Sequence, residues 1–357
     1  MSINVGSDPD ALAFTPDSKT VYVANANSGT VTPIHLGPNK AGPPIAVGSD
    51  PDAIAVSPDG KTAYVTNSGS GTVTPIDTAT DRAGRPISVG NAPSAITISS
   101  DTGRAYVVDS GSAAITPIDT MTNTALAPIP VGTGPSVITL SPDGKTGYVA
   151  NFVAGTVTPL NLATNTAGAP ITVGHQPVAI VFTSDGGSAY VANFGSNTIT
   201  PINTATGQPG APIQVGNGPQ ALALTPDGKA VLVVNYQSGT VSVIAVPANV
   251  VRTTLKVGKN PESITLVGHG KFAQVVNEGS GSITRLAATA GTGTGTFQVG
   301  GNPSPAALSP NQAVFVMAVP RQPTPEGGQA IVVPEHDIDW LIHHSQSSPG
   351  GGGPGGF

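Results

Sequence analysis

The sequence predicts an all-β ring of repeated four-stranded blades, a β-propeller, and three observations carry that reading. The pair Val-Gly recurs at Val5-Gly6, Val47-Gly48, Val89-Gly90, Val131-Gly132, Val173-Gly174, Val215-Gly216, Val257-Gly258 and Val299-Gly300, always 42 residues apart. Each unit holds four short apolar runs, and a fixed period of ~40 to 45 residues with that content is the mark of propeller blades. No helical period competes with it. Residues 42 apart therefore form columns around the ring.

Unit two shows the elements in order. Ala53-Ile54-Ala55-Val56 is strand a, Ala63-Tyr64-Val65-Thr66 strand b, Thr72 to Ile76 strand c and Pro86-Ile87-Ser88-Val89 strand d. Between a and b lies Ser57-Pro58-Asp59-Gly60, repeated at Ser141 to Gly144 and, with Thr first, at Thr225 to Gly228. Pro presets φ at the second position of a type I turn and Gly suits the fourth, so this motif is architecture.

Strand d carries proline at Pro44, Pro86, Pro128, Pro170 and Pro212. A proline cannot donate to a central ladder, so d is the outer edge, protected against pairing with other chains. Strand c also carries it, at Pro33, Pro75, Pro117, Pro159 and Pro201. Either d is short and leaves part of c unpaired, or c is bulged there.

Seven complete units run from Gly6 to Val299. Leu308-Ser309-Pro310, Val314-Phe315-Val316-Met317 and Ala330-Ile331-Val332-Val333-Pro334 then supply strands a, b and c of an eighth, and Ser2 to Val5 is available as its d. Eight blades closed by the N-terminal strand use every segment; seven blades with the rest packed elsewhere is the alternative. Residues 1–334 form the propeller, 335–344 an apolar clip around Trp340, and 345–357 a Gly/Pro tail expected to be disordered.

Composition fits such a fold. The 357 residues include 46 glycines and 35 prolines, only 10% are charged, and 38% are hydrophobic. Most Gly and Pro punctuate blades at fixed offsets. The absence of cysteine excludes disulfides and Cys-based metal sites, and 14 basic against 20 acidic residues, a formal charge of −6, disfavour nucleic acid as a partner. No apolar run reaches the ~18 residues of a membrane span. The start Met-Ser-Ile-Asn-Val-Gly lacks a basic, apolar export signal, so a cytoplasmic location is expected, as is a monomer.

The tetrad Tyr64-Val65-Thr66-Asn67, with its variants at Tyr22, Tyr148 and Tyr190, resembles the YVTN family of β-propeller repeats over residues 1 to about 319. The resemblance implies the fold; for function it implies a range, from surface-layer proteins to lactonase-like enzymes. Seven blades are commoner in that family, and many of its members are exported.

Function in a repeat ring is sought where a column stops being uniform. After the tetrad Asn, at the start of the b-to-c loop, the column reads Ala26, Ser68, Ser110, Phe152, Phe194, Tyr236, Glu278. Three consecutive aromatics stand out in a chain with only eight Phe, six Tyr and one Trp, and Tyr236 alone lies outside the structural tyrosine column. On the same face the d-to-a loops add His175, Gln176, Val178 and Gln220, then Lys259 and Glu262. This predicts an asymmetric mouth for an apolar small molecule, bounded by Phe152, Phe194, Tyr236, Gln176, Val178, Gln220, Lys259 and Arg321, with His175, Tyr236, Glu262 and Glu278 as candidate catalytic groups. Alternatively, the aromatics only plug an irregular ring. Asp8, Asp10, Asp50 and Asp52, in identical Gly-Ser-Asp-Pro-Asp segments, read as solvated surface acids.

Aligning Val333-Pro334 with the Thr-Pro of other c strands leaves about seven extra residues in the last b-to-c loop, Pro320 to Gln329, which carries Arg321 and Glu326 and forms either a lid or a plain connector. In the tail, His336, Asp339 and His343 have metal-capable side chains, but their spacing matches no specific site. No phosphate loop, nucleophile elbow or His-Glu-x-x-His motif is present, so no cofactor or metal is expected. The expectation is a cofactor-free cyclase, isomerase or lyase, Diels–Alder chemistry included, that works by orientation and water exclusion. A scaffold or adhesion module is the alternative. A metal-dependent lactonase, which the resemblance also admits, would draw on Glu262, Glu278 and His175.

Overall fold

A computed structural model describes residues 2–288, 292–301, 303, 306–319 and 328–334. They form eight antiparallel sheets arranged as blades. In blade one, Pro9–Phe14, Thr20–Asn25 and Thr30–His35 are strands a, b and c, while d is split into Lys40–Ala41 and Ile45–Ala46. Strands a of neighbouring blades contact one another and form the inner ring. Blade eight consists of Ala306–Leu308, Val314–Val319 and Gln329–Pro334, and its d is Ser2–Asn4, paired Ser2 to Ile331 and Asn4 to Gln329. The eight-blade closure is thus borne out.

The prolines of strand c explain the split in d. Tyr22 pairs with Pro33, and the Pro33 carbonyl accepts from Gly42 of d at 2.8 Å. In an antiparallel ladder a residue's N–H and C=O point the same way, so proline at this column withholds its donor from d and not from b. Blades one to five all carry it, and all have a two-piece d. In blade six Val243 restores the N–H and d runs unbroken over Val250–Lys256; in blade seven Arg285 does the same beside Thr292–Gln298.

Two columns tie the ring together. Tyrosines of strand b reach the c-to-d turn of the next blade: Tyr22 donates to Asp81 Oδ1 at 2.6 Å, Tyr64 to Asn123 at 2.7 Å and Tyr190 to Asn249 at 2.7 Å. The rest of the interface is apolar, as where Tyr22, Ala24, Val31 and Ile45 pack on Ala63, Val65 and Ile76. The tetrad asparagine clamps the opposite end. Asn67 Nδ2 donates to the Thr72 and Thr74 hydroxyls, while its Oδ1 accepts from Gly48 N at 3.0 Å. A Cβ on Gly48 would lie 2.7 Å from Asn67, so the Val-Gly repeat is a steric requirement of this clamp.

The eighth blade corrects one alignment. Pro334 pairs with Val314 and Val332 with Val316, so Val332, not Pro334, occupies the Pro33 column. The b-to-c loop then spans 320–328, nine residues against the four (26–29) of blade one, an excess of five rather than seven. Arg321, Glu326 and the proposed lid, like the clip around Trp340, the tail and the candidate ligands His336, Asp339 and His343, lie outside the described residues.

Candidate functional site

The b-to-c and d-to-a loops share one face and are hydrogen-bonded to each other. The first N–H of each b-to-c loop donates to the loop that leads into strand a: Phe152 to Gly134 O at 2.7 Å, Phe194 to Gln176 O at 2.9 Å, Tyr236 to Gly218 O at 2.8 Å and Glu278 to Asn260 O at 3.0 Å. The accepting residue is left-handed in every one of these loops, with φ +61° at Gly134, +55° at Gln176, +65° at Gly218 and +49° at Asn260. The deviating column is thereby held at one height around the mouth.

Phe194 leans over the glycine of the next blade's loop, Gly218. Phe194 Cε2 lies 3.0 Å from where a Gly218 Cβ would stand, and Gln237 Cγ 2.9 Å from the same point, so only glycine leaves room for both. Tyr236 reaches into the next blade and donates its hydroxyl to Glu278 Oε2 at 3.1 Å. Phe152, Phe194, Tyr236 and Glu278 are all half-buried. Beside Phe152, Val153 is 71% exposed and its Cγ2 covers Gly134. Val153 was missed by sequence reasoning. Its column otherwise reads Asn27, Gly69, Gly111, Gly195, Gln237 and Gly279, and that contrast was the available signal.

Val178, Gln220 and Glu262 sit elsewhere than expected. They are the second residues of Pro177–Phe182, Pro219–Leu224 and Pro261–Val267, on strand a rather than in the loops. The ladder slips at this residue in each of blades one to seven, a β-bulge that leaves it outside the a–b pairing at the channel wall. The resulting ring reads Asp10, Asp52, Ser94, Ser136, Val178, Gln220, Glu262. His175 and Lys259 remain exposed in the loops. Their backbone N–H groups donate to Ser196 Oγ at 2.6 Å and Ser280 Oγ at 3.0 Å. The amide oxygen of Gln176 is directed at Gly195.

The bulge sets Asp52 half-buried beside Asp10, which stays exposed, so the solvated reading is corrected for Asp52 alone. The carboxyls of Asp10 and Asp52, from adjacent blades, lie close enough to act on one another's ionisation. Desolvation in the concave mouth, then the neighbouring Asp10 carboxyl, push Asp52 up to about 7. Asp10 is also raised, chiefly by desolvation, while Asp52 opposes the rise. Of the two carboxyls, Asp52 is the one that keeps its proton to the higher pH. Asp8 and Asp50 stay exposed. Among the described residues no three His, Asp or Glu side chains converge as a metal-ligand set. Nor is any described helix long and apolar enough to cross a membrane.

Three solved structures share this architecture. The chain is similar to Kuenenia stuttgartiensis hydrazine synthase, at 25% identity and a TM-score of 0.64 over 80% of this chain and 97% of that one. It is similar to a functionally unknown protein from Desulfotomaculum acetoxidans DSM 771, at 20% identity and 0.56 over 71% and 87%. It is also similar to dihydro-heme d1 dehydrogenase NirN in complex with DHE, at 16% identity and 0.67 over 81% and 68%. No protein-family profile and no curated protein matches the chain. Fold and site together define an eight-bladed β-propeller with one asymmetric mouth.

Proposed function

We propose that this YVTN-like propeller binds a largely apolar small molecule on the arc formed by Phe152, Val153, Phe194 and Tyr236. The observation that carries the reading is the Tyr236–Glu278 hydrogen bond at the end of that arc, which fixes a carboxylate beside apolar surface. A ring in which blades one to three place Ala or Ser at this column has no structural need for three aromatics. NirN, a propeller-containing neighbour, was solved with a bound small molecule, DHE, which supports the same use of the fold here.

The reaction class that fits is proton relocation without an organic cofactor: isomerisation, elimination or cyclisation. Glu278 takes a proton from a substrate held on the aromatics, and Asp52, protonated and three blades further round the mouth, returns one. Orientation against the arc supplies the remainder of the barrier reduction. The test is a thermal-shift screen of apolar small molecules on the parent chain, repeated on Phe194→Ala and Tyr236→Ala. Hits that bind both variants as they bind the parent place the site elsewhere. A non-catalytic docking face is the second reading, favoured by the exposure of Val153; it predicts that Glu278→Gln and Asp52→Asn change no reaction of any bound ligand.

A further inference from the structure

Beyond the end of the aromatic arc, between blades six and seven, lies a cleft of about 430 Å³ lined by Gln237, Ser238, Lys256, Lys259, Asn260 and Ser280, with glycine and valine backbone between them. Its charge is unlike its surroundings. The chain carries −6 overall, yet this cleft holds two ammonium groups and no carboxylate in its lining. Lys19 and Lys61 each sit 3.4 Å from the aspartate of their own turn, Asp17 and Asp59. Lys256 and Lys259 are in no ion pair among the described residues. The nearest acid in sequence, Glu262, lies on Pro261–Val267 outside this lining, and Glu278 turns its Oε2 toward Tyr236.

The two lysines are placed by separate features. Lys256 ends the unbroken d strand of blade six, opposite Thr240. Lys259 belongs to the following loop, whose backbone is fixed by Gly258 N on Asn277 Oδ1 at 3.0 Å and Lys259 N on Ser280 Oγ at 3.0 Å. Their stems are anchored on rigid backbone while both heads remain in solvent. Gln237 joins the cleft to the arc, since its Cγ shares the space above Gly218 with the Phe194 ring.

We propose that this cleft is an anion subsite, taking the carboxylate or phosphate head group of a ligand whose apolar body lies on Phe194 and Tyr236. The inference rests on the small-molecule reading of the arc and adds the ligand's class: an amphiphilic acid. Two lysines with hydroxyl and amide donors recognise a carboxylate or phosphate as converging charges and hydrogen bonds.

The experiment uses the full chain at low ionic strength, where exposed charges are least screened. Inorganic phosphate at millimolar concentration should shift the backbone amide resonances of 237–239 and 256–260 in the parent, and no longer do so in a K256Q/K259Q double variant of unchanged melting temperature. Absence of the shift, or its persistence in the double variant, overturns the subsite. Then 4-phenylbutyrate should bind about tenfold tighter than its neutral amide, and the double variant should bind the two alike. A carboxylate preference that survives the lysine changes also overturns the proposal. Phe194→Ala should weaken acid and amide by the same factor. If it weakens neither while the lysine effect holds, the aromatic reading fails and the anion subsite stands.

Discussion

The Tyr236 hydroxyl donates to Glu278 Oε2 at 3.1 Å, and the two residues occupy the same column of neighbouring blades. The bond exists because blade six presents a tyrosine where blade seven presents a carboxylate. Tyr236→Phe keeps the ring and loses the bond, at a cost of about 1 kcal/mol or less for a half-buried pair. Melting should shift by a few degrees at most and apolar ligands should bind as before, while turnover that depends on an oriented Glu278 falls. Tyr236→Ala should lose ligand binding as well. Isothermal titration of both variants separates the two effects.

A second prediction concerns Asp52, whose carboxyl is raised to about 7 from an ordinary 3.8. The folded chain therefore holds more protons than the unfolded chain between those values, and stability falls as pH rises through that window. Asp52→Asn cannot ionise. Parent and variant should melt alike below pH 3.8, with the variant gaining steadily up to about 7. A parent whose melting temperature is flat across that range would show that the Asp52 carboxyl is not raised.

Blade three contains the third test. Asp109 replaces the clamp asparagine, is fully buried, and accepts from the Thr116 hydroxyl. Burial pushes it up to about 6, against the hydrogen bonds from Thr116 and Gly90. Restoring the repeat residue with Asp109→Asn removes that buried charge and returns an Nδ2 donor to Thr116. The variant should be more stable than the parent by about 1 kcal/mol above the window and equal to it below 3.8. Urea melts at about pH 4 and about pH 8 check both the sign and the window.

Ring closure gives the fourth. Ile3 and Val5 are 8% and 9% exposed, and Ser2–Asn4 covers strand c of blade eight. Deleting residues 1–5 exposes those contacts and leaves an open edge of Gln329–Pro334. A loss of about 3 kcal/mol or more follows from the two buried side chains, together with self-association through the bare edge. Size-exclusion chromatography of the truncated chain should show dimers or larger species; a monomer with the parent's melting temperature would mean the strand contributes nothing.

Much of this architecture was written in the period, because 42-residue columns convert each Gly, Pro and Tyr into a test repeated up to eight times. Where one position breaks a column, as at Phe152 or Tyr236, the deviation showed against that background. What stayed hidden depended on pairing rather than identity. Asp10 and Asp52 looked like copied surface residues, since their segments are identical. Only the bulge after Pro9 and Pro51 turns them onto a shared wall. Val332 was overlooked in favour of Pro334 because a matching residue type was followed where the ladder register decides. The lysine cleft could not be seen at all, since Lys256 and Lys259 become partners only when the d strand of blade six is laid beside the next loop.

The pairing of Ser2 with Ile331 also sets an order of events. Seven blades can assemble as the chain is made, each beside the one before it, but the first strand has to wait for residues more than three hundred positions later. Until then both it and the inner faces of blades one and seven are open to other chains, and the search that ends the wait carries the largest loop entropy in the molecule. The slowest step in forming this ring is therefore expected to be its last, and crowded synthesis is where the chain is most exposed to pairing with a neighbour instead of with itself.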